Sequence, residues 1–292
     1  MSANRGDGNK MRARTAINQM LKRGCLARFS FYFVFFLLFL GLCPQASAVC
    51  DCTQEGTTGV PQPECEALVL LYDNTAGAGW YSKTNWNQAT AVADWEGVSV
   101  ANGNVSSIDL SYNNLKGAIP AELGNVIYLT DLKIPGNELT GSIPIELGAM
   151  SALETLDLSN NQLTGGIPSE LGSLSNLITL NLSANQLGGG IPAALEALSS
   201  LRVLNLAANP LGGEIPAWLG NMTSLTDLKL YSDQLVGNIP PELGSLSAMQ
   251  NISFANNQLS GAIPAELGNL TNLQGGLYLS NNQLNGELPV SL

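Results

Sequence analysis

The feature that most constrains this chain is a segment of 24 residues that recurs along most of its length. Part of one copy, at residues 156–168, reads Leu-Asp-Leu-Ser-Asn-Asn-Gln-Leu-Thr-Gly-Gly-Ile-Pro. Steps of 24 residues, with one step of 25 before the last copy, return a marker residue at Asn113, Asn137, Asn161, Asn185, Asn209, Asp233, Asn257 and Asn282. Such a period predicts a solenoid, in which each unit buries its apolar face only when a neighbour stacks on it.

The first half of each unit has the spacing of a β-strand. Leu156 and Leu158 flank Asp157, so the leucines are predicted to enter the core while Thr155, Asp157 and Ser159 point the other way. One short strand per unit predicts a parallel sheet with neighbouring strands about 4.8 Å apart.

The marker asparagine is predicted to be buried where the backbone turns inward after the strand. Its amide can both donate and accept hydrogen bonds, and so satisfy backbone groups that the turn leaves unpaired. Asp233 breaks the series, since a carboxylate cannot donate unless it is protonated. We therefore expect Asp233→Asn to stabilise the protein.

The first 48 residues differ in composition from the rest of the chain. They hold seven of the 12 Lys and Arg residues and one of the 23 acidic residues, which leaves 5 bases against 22 acids, a net charge of −17. So acidic a remainder is not expected to bind nucleic acid. The apolar run at residues 29–43 precedes Ala46 and Ala48, which fit a cleavage site. Residues 1–48 are predicted to be a signal peptide, with an uncleaved N-terminal anchor as the alternative.

Three cysteines remain after cleavage at that site, namely Cys50, Cys52 and Cys65. In an oxidising compartment they allow one disulfide, and Cys65 is predicted to pair with Cys50 or with Cys52. A metal site is the rival interpretation, but the chain has no His and, after cleavage, only these three thiols. We predict no metal and no cofactor.

Two segments separate the predicted signal peptide from the repeats. Residues 49–63 are polar and turn-rich and are predicted to be a linker. Residues 64–104 are predicted to cap the solenoid, beginning with a helix whose apolar face includes Ala67, Leu71 and Tyr72. The cap also contains Trp80, Trp86 and Trp95. We interpret these tryptophans as a plug over the open apolar end, with ligand stacking as the alternative.

The second half of the unit carries the pattern Leu-x-Gly-x-Ile-Pro at residues 115–120, 139–144, 163–168 and 259–264. With the first half, it resembles the plant-type, extracellular subclass of leucine-rich repeats in eight copies over residues 105–292. The resemblance implies an α/β repeat solenoid, a right-handed horseshoe with a parallel sheet on its concave face and a second short strand per unit. Residues 67–105 are similar to the family's N-terminal cap, although Ser99 and Val100 stand where the family often has a cysteine. The chain stops at Leu292 without a closing cap, so we expect an exposed apolar edge.

The concave face is the expected binding surface, because solenoids of this kind usually present their sheet to a ligand. Its outward positions carry short polar side chains, a few charges and isolated tyrosines. Asp109, Lys133 and Asp157 are expected on adjacent strands, where they would form charge pairs. The candidate ligand-binding residues are Tyr112, Lys133, Asp157, Asn181, Asn205, Asp227, Lys229, Tyr231 and Tyr278.

No residue pattern points to catalysis, since the chain lacks His, the commonest general base. A line of glutamates recurs on the return side at Glu122, Glu146, Glu170, Glu242 and Glu266. We interpret it as a solvated stripe, with weak cation or mineral binding as the alternative. Candidate glycosylation sites are Asn104, Asn181, Asn221, Asn251 and Asn269.

These features predict a secreted or cell-surface recognition module that binds a protein, peptide or glycan and is not an enzyme. One alternative is the truncated ectodomain of a receptor-like, kinase-linked membrane protein. Another is an acidic wall, ice-binding or mineral-binding protein that uses the regular lattice of the solenoid. Contact with a membrane is expected only through an uncleaved N-terminal segment or a missing C-terminal part.

Overall fold

The computed structural model describes Cys52 and residues 58–292. The predicted signal peptide, Cys50 and most of the predicted linker lie outside the described residues. Helix α1 (Gln62–Asn74) comes first. The strands that follow are β1 (Val98–Ala101), β2 (Asn104–Asp109), β3 (Lys116–Ala118), β4 (Asp131–Lys133), β5 (Glu138–Thr140), β6 (Thr155–Asp157), β7 (Thr164–Gly166), β8 (Thr179–Asn181), β9 (Gln186–Gly188), β10 (Val203–Asn205), β11 (Asp227–Lys229), β12 (Asn251–Ser253), β13 (Ser260–Gly261), β14 (Gly276–Tyr278) and β15 (Gln283–Leu284).

The main sheet has nine strands in the order β1-β2-β4-β6-β8-β10-β11-β12-β14. Strand β1 is antiparallel to β2, and the other neighbours are parallel. We number the repeats 1 to 8 by their strands in this sheet, from β2 to β14. The central leucines are paired from repeat to repeat, as in Leu156 with Leu180, and both are fully buried. The predicted solenoid with one parallel strand per repeat is therefore confirmed.

A second set of short strands lies on a lateral side of the solenoid. Pairs β3–β5, β7–β9 and β13–β15 join repeats 1 with 2, 3 with 4, and 7 with 8. Isolated bridges continue this ladder at Ser142–Thr164, Glu214–Val236 and Asn238–Ser260. In the described chain, repeats 5 and 6 have no second strand. The second short strand that the family resemblance implies is therefore present in six of the eight repeats.

The return path of the described repeats contains 3-10 helices of five residues. Each begins directly after a proline, whose fixed φ and missing N–H suit a helix start. The following leucine, such as Leu171, is fully buried and closes the core. The helices are Ala121–Asn125, Ile145–Ala149, Ser169–Ser173, Ala193–Ala197, Ala217–Asn221, Pro241–Ser245 and Ala265–Asn269.

The N-terminal cap is closed by aromatic packing. Trp80, Trp86 and Trp95 are at most 2% exposed, and their ring centroids follow one another at 4.8 and 5.0 Å. Buried rings of this kind supply apolar area to the core and offer no face to a ligand. The arrangement fits the interpretation of these rings as a plug.

The boundary between the predicted linker and the cap lies earlier than expected. Helix α1 begins at Gln62, after Pro61 at its N-cap, and Thr58 is already buried, accepting a hydrogen bond from Val92 N at 2.9 Å. Cys52 and Cys65 form a disulfide, which is one of the two pairings left open by the sequence. The end of the linker is therefore part of the cap, because this disulfide and the packing of Thr58 hold it there.

Among the helices of Cys52 and residues 58–292, none is long and apolar enough to cross a membrane.

Candidate functional site

The concave face is a polar column that runs from strand to strand along the main sheet. Parallel pairing places Lys133 beside Asp157, Asp157 beside Asn181, and Asn205 between Asn181 and Lys229. Lys229 is next to Ser253, which is next to Tyr278. The sheet therefore brings the predicted strand residues into one continuous line, except for Asp227, which pairs with Val203 and Asn251 in the neighbouring column.

At the N-terminal end of this column, the ion pair that forms is not one of the charge pairs expected from the sequence. Lys133 Nζ lies 3.0 Å from Asp131 Oδ1 on its own strand, so the prediction that it pairs with Asp109 and Asp157 is wrong. Partial burial opposes ionisation of Asp131, but hydrogen bonds from Lys133 and Thr130 outweigh it and lower the pKa of this carboxyl.

The two expected partners of Lys133 are engaged in turns of their own. Asp109 Oδ1 accepts hydrogen bonds from Ser111 N and Oγ at 3.1 and 2.6 Å. Asp157 Oδ1 accepts from the equivalent atoms of Ser159 at 2.9 and 2.7 Å. The local Asp-x-Ser turn holds each carboxylate by two short bonds, which explains why neither reaches across to the lysine.

The middle of the face is a floor of mutually bonded side chains. Asn181 Nδ2 donates to Asp157 Oδ2 at 3.1 Å, and Asn205 Nδ2 donates to Ser183 Oγ at 3.2 Å. In repeats 6 and 7, Asn251 Nδ2 donates to Asp227 Oδ1 at 2.8 Å. A ligand would meet groups that are already oriented, which lowers the ordering cost of binding.

The C-terminal part of the face combines a cation with aromatic rings. Within the described residues no ion pair involves Lys229, whose strand neighbours are Asn205 and Ser253. Tyr231 follows two residues later and is 37% exposed, and Tyr278 is 54% exposed two strands away. Strands spaced about 4.8 Å apart place Lys229 and Tyr278 roughly 10 Å apart along the sheet.

Tyr112 lies outside this column. It is 71% exposed, has a positive φ of 53°, and sits in the turn that follows β2. Its ring packs over Gly136, where a Cβ would overlap the ring. Tyr112 therefore borders the face at its first repeat and does not share a strand with the other candidates.

Sequence reasoning did not select Arg202. This side chain is exposed directly before β10, and Arg202 O accepts hydrogen bonds from Thr226 N and Asp227 N. The rarity of basic residues could have identified it, because residues 49–292 contain only five Lys and Arg residues. Arg202 lies one residue before β10, on the repeat adjacent to the one that carries Lys229.

The marker asparagines lie behind the sheet and hold neighbouring repeats together. Asn161 Oδ1 accepts from Leu139 N at 3.0 Å, while Nδ2 donates to Ile134 O at 2.9 Å and Leu158 O at 3.1 Å. This repeating ladder of buried amides is structural and offers nothing to a ligand. Its members are Asn113, Asn137, Asn161, Asn185, Asn209, Asp233, Asn257 and Asn282, of which Asn282 is half-buried and the others are at most 8% exposed.

Asp233 occupies the ladder position of repeat 6 and is fully buried. Oδ1 accepts from Asn209 N at 2.9 Å, and Oδ2 has no hydrogen-bond partner. Burial raises the pKa of this carboxyl to about 8, although the bond from Asn209 N opposes the shift. A protonated Oδ2 would regain one of the two donor hydrogens that an asparagine provides.

The remaining candidate positions differ in exposure. The recurring glutamates, from Glu122 to Glu266, are exposed on the 3-10 helices of the return side. Among the sequons, Asn221 and Asn269 are exposed at the ends of such helices, whereas Asn104, Asn181 and Asn251 are half-buried in strands. Glycosylation stays a prediction, and it fits the exposed pair best.

Comparison with known proteins gave matches to one repeat family. A leucine-rich-repeat family model matches residues 151–211, and a second matches residues 104–126 and 248–270. The comparison with curated proteins gave no match.

Several solved structures share the fold. The ectodomain of the Arabidopsis thaliana receptor kinase GASSHO1/SCHENGEN3, in complex with CASPARIAN STRIP INTEGRITY FACTOR 2, is 37% identical, with a TM-score of 0.74 over 78% of this chain and 28% of that one. The Arabidopsis receptor kinase HAESA, in complex with the peptide hormone IDA and the co-receptor SERK1, is 34% identical, with a TM-score of 0.61 over 77% and 43%. The chain thus spans less than half of either receptor chain.

A plant ice-binding protein also has a similar structure. It is 24% identical, with a TM-score of 0.61 over 79% of this chain and 90% of that one. At this identity the similarity shows the fold alone.

Proposed function

Because the chain is a leucine-rich-repeat protein of the plant extracellular type, we propose that it is a secreted or cell-surface recognition module. It binds a protein, peptide or glycan through its concave face and performs no chemistry. Ligand binding on a rigid sheet needs no catalytic group, and the residues of the face are amides, hydroxyls and a few charges.

The observation that carries this proposal is the cluster formed by Lys229, Tyr231 and Tyr278. Elsewhere on the face, charged groups are held by neighbours, as Lys133 is by Asp131. Lys229 instead lies between small polar residues, near two exposed aromatic rings. Aromatic and cationic side chains are the usual anchors of protein interfaces, which favours this cluster as the strongest contact.

The distribution of charge indicates how a ligand would be oriented. Repeats 1 to 3 present Asp109, Asp131 and Asp157 around a paired lysine, while repeats 5 and 6 carry Arg202 and Lys229 against one carboxylate, Asp227. Complementary charges steer and orient partners more than they add affinity. We infer a ligand with an anionic group at repeats 5 to 8 and a basic or neutral group at repeats 1 to 3.

The experiment that tests the proposal is a quantitative pull-down from an extracellular extract with the secreted protein and its variants. Lys229→Ala and Tyr231→Ala should each reduce recovery of the captured partner by about tenfold, the loss expected for an interface anchor.

Two matched variants control for charge and for aromatic surface. Lys116→Ala removes a lysine that pairs with Glu138 at 2.9 Å on the lateral side, and Tyr128→Ala removes an exposed tyrosine outside the sheet. Both should leave recovery unchanged. Equal recovery with all four variants would rule out the concave cluster.

A second candidate function is the ligand-binding part of a longer receptor-like membrane protein. The structural neighbours that are receptor-kinase ectodomains, and the fraction of their length that this chain spans, favour it. Transcript sequence that continues through repeats into a membrane-spanning segment and a kinase domain would establish it. The concave-face prediction is the same in both cases.

An extracellular location is part of the proposal. The Cys52–Cys65 disulfide supports it, because such bonds persist in oxidising compartments. The excess of acidic residues also supports protein or glycan partners over nucleic acid, since Lys and Arg must replace phosphate counterions.

A further inference from the structure

The junction between repeats 4 and 5 is unlike the other junctions of the described solenoid. Strands β8 and β10 pair in the normal register, with Leu180 opposite Leu204. In contrast, the 3-10 helices Ala193–Ala197 and Ala217–Asn221 lie farther apart than the other consecutive pairs of these helices. The two repeats are joined along the concave sheet and spread on the opposite side.

Glu196 explains this spread. The residue after the helix leucine is glycine in the other six of these helices, for example Gly172 and Gly220. A Cβ on either glycine would collide with a backbone carbonyl oxygen of the next repeat. Glu196 places a side chain at this position, so repeat 5 cannot stack as closely there on the carbonyl of Trp218.

Pro210 weakens the same junction on the lateral side. The equivalent Gln162 and Gln186 donate their N–H to the preceding repeat, to Leu139 O and Leu163 O at 2.8 Å. Pro210 has no N–H to donate. Within the described residues, the lateral segments of repeats 4 and 5 share a backbone hydrogen bond, from Gly190 N to Leu211 O at 3.0 Å, but neither a strand pair nor an isolated bridge.

Paired glycines flank the junction on that side. Gly189 and Gly190 have φ of 81° and 82°, Gly212 and Gly213 have φ of 65° and 75°, and a Cβ at any of them would meet open space. Consecutive residues of this kind are the least restricted backbone in a chain. The nearby Ile191 is half-buried, whereas the equivalent isoleucines of repeats 3 and 5 are at most 6% exposed.

We propose that the junction of repeats 4 and 5 is a flexible joint built into the solenoid. Its lateral and helical layers open while β8 and β10 stay paired, because each layer is held by few contacts. These are one backbone bond, from Gly190 N to Leu211 O at 3.0 Å, in the lateral layer, and one exposed side-chain bond, from Asn221 Nδ2 to Glu196 Oε1 at 2.8 Å, in the helical layer. Stability in such arrays is a sum over repeats and their interfaces, so one weak interface opens independently of the rest. The joint divides the concave face between Asn181 and Asn205, which bears on ligand span if the proposed function holds.

Hydrogen exchange of the intact, ligand-free chain tests the joint. Amides of the lateral segments that flank the junction, residues 187–191 and 211–214, should exchange at least about tenfold faster than those of residues 139–143 and 163–167. The double variant Glu196→Gly/Pro210→Gln restores the glycine and the donor of the regular repeats. It should bring the two rates to within about twofold.

The reciprocal variant Gly172→Glu installs the same wedge between repeats 3 and 4. It should raise exchange at residues 163–167 without affecting residues 139–143. Equal exchange at both sites in the unmodified protein, or an unchanged ratio in the double variant, would overturn the joint. Because no ligand is present, these results are independent of whether the concave face binds a partner.

Discussion

The third and sixth repeats place different residues at the same buried point. Asn161 accepts from one backbone N–H and donates to carbonyls of its own and the preceding repeat. Asp233 accepts from Asn209 N and leaves Oδ2 without a partner. Both repeats nevertheless form the same strand in the same register. The difference teaches that leucine packing sets the fold, while the ladder sets how firmly each repeat is held.

The largest expected effect comes from copying the defect of repeat 6 into repeat 3. Asn161→Asp would bury a carboxylate and leave the carbonyls of Ile134 and Leu158 without their donor. We expect a loss of about 4 kcal/mol in the free energy of unfolding at pH 8. Denaturant unfolding measures it. The control Asn160→Asp, at the adjacent exposed residue, should change it by less than about 0.5 kcal/mol.

The reverse change should remove the difference between the two repeats. Asp233→Asn supplies two donor hydrogens to a fully buried site and eliminates its charge. We expect a gain of about 3 kcal/mol at pH 8. A denaturation midpoint below that of the unmodified protein would contradict the ladder account.

The pH dependence of the free energy of unfolding distinguishes the effect of the Asp233 charge from the effect of the N–H donors that an asparagine would supply. Its pKa is about 8 in the folded protein, above the ordinary value of 3.8, so the folded state holds a proton that the unfolded state releases. The contribution of Asp233 to stability is therefore greatest below pH 4 and falls as the pH rises towards 8. The gain from Asp233→Asn should therefore be largely lost between pH 8 and pH 5. A gain that is constant over this interval would show that the charge plays no part.

The smallest expected effect concerns the close approach of repeats 3 and 4. A Cβ on Gly172 would collide with Ala194 O, whereas a Cβ on Gly166 would lie 3.8 Å from its nearest neighbour. Gly172→Ala should cost about 1.5 kcal/mol, and Gly166→Ala should be close to neutral. If both variants unfold at the same midpoint, the close approach of Gly172 to Ala194 O does not contribute to the stability of the junction between repeats 3 and 4.

Much of the candidate site could be predicted from the sequence, because side chains alternate between the two faces along each strand. Asp157, Asn181, Asn205, Lys229 and Tyr278 share one column because side chains of a strand alternate and consecutive repeats pair in register. The partner of Lys133 was not predicted, since its choice between Asp131 and Asp157 depends on a local turn that captures Asp157. Tyr112 lies in the turn after β2, beside the face, and its part in ligand binding stays a prediction.

The sequence alone determined the solenoid, the number of repeats, the buried ladder and the polar face. These follow from a fixed period, because each residue of a repeat meets the same residue of the next. Only the tertiary structure decided where the stacking is loose, at Glu196 and Pro210, and how Asp233 is left with an unpaired oxygen. Such features depend on the distance between two backbones, which no single repeat encodes.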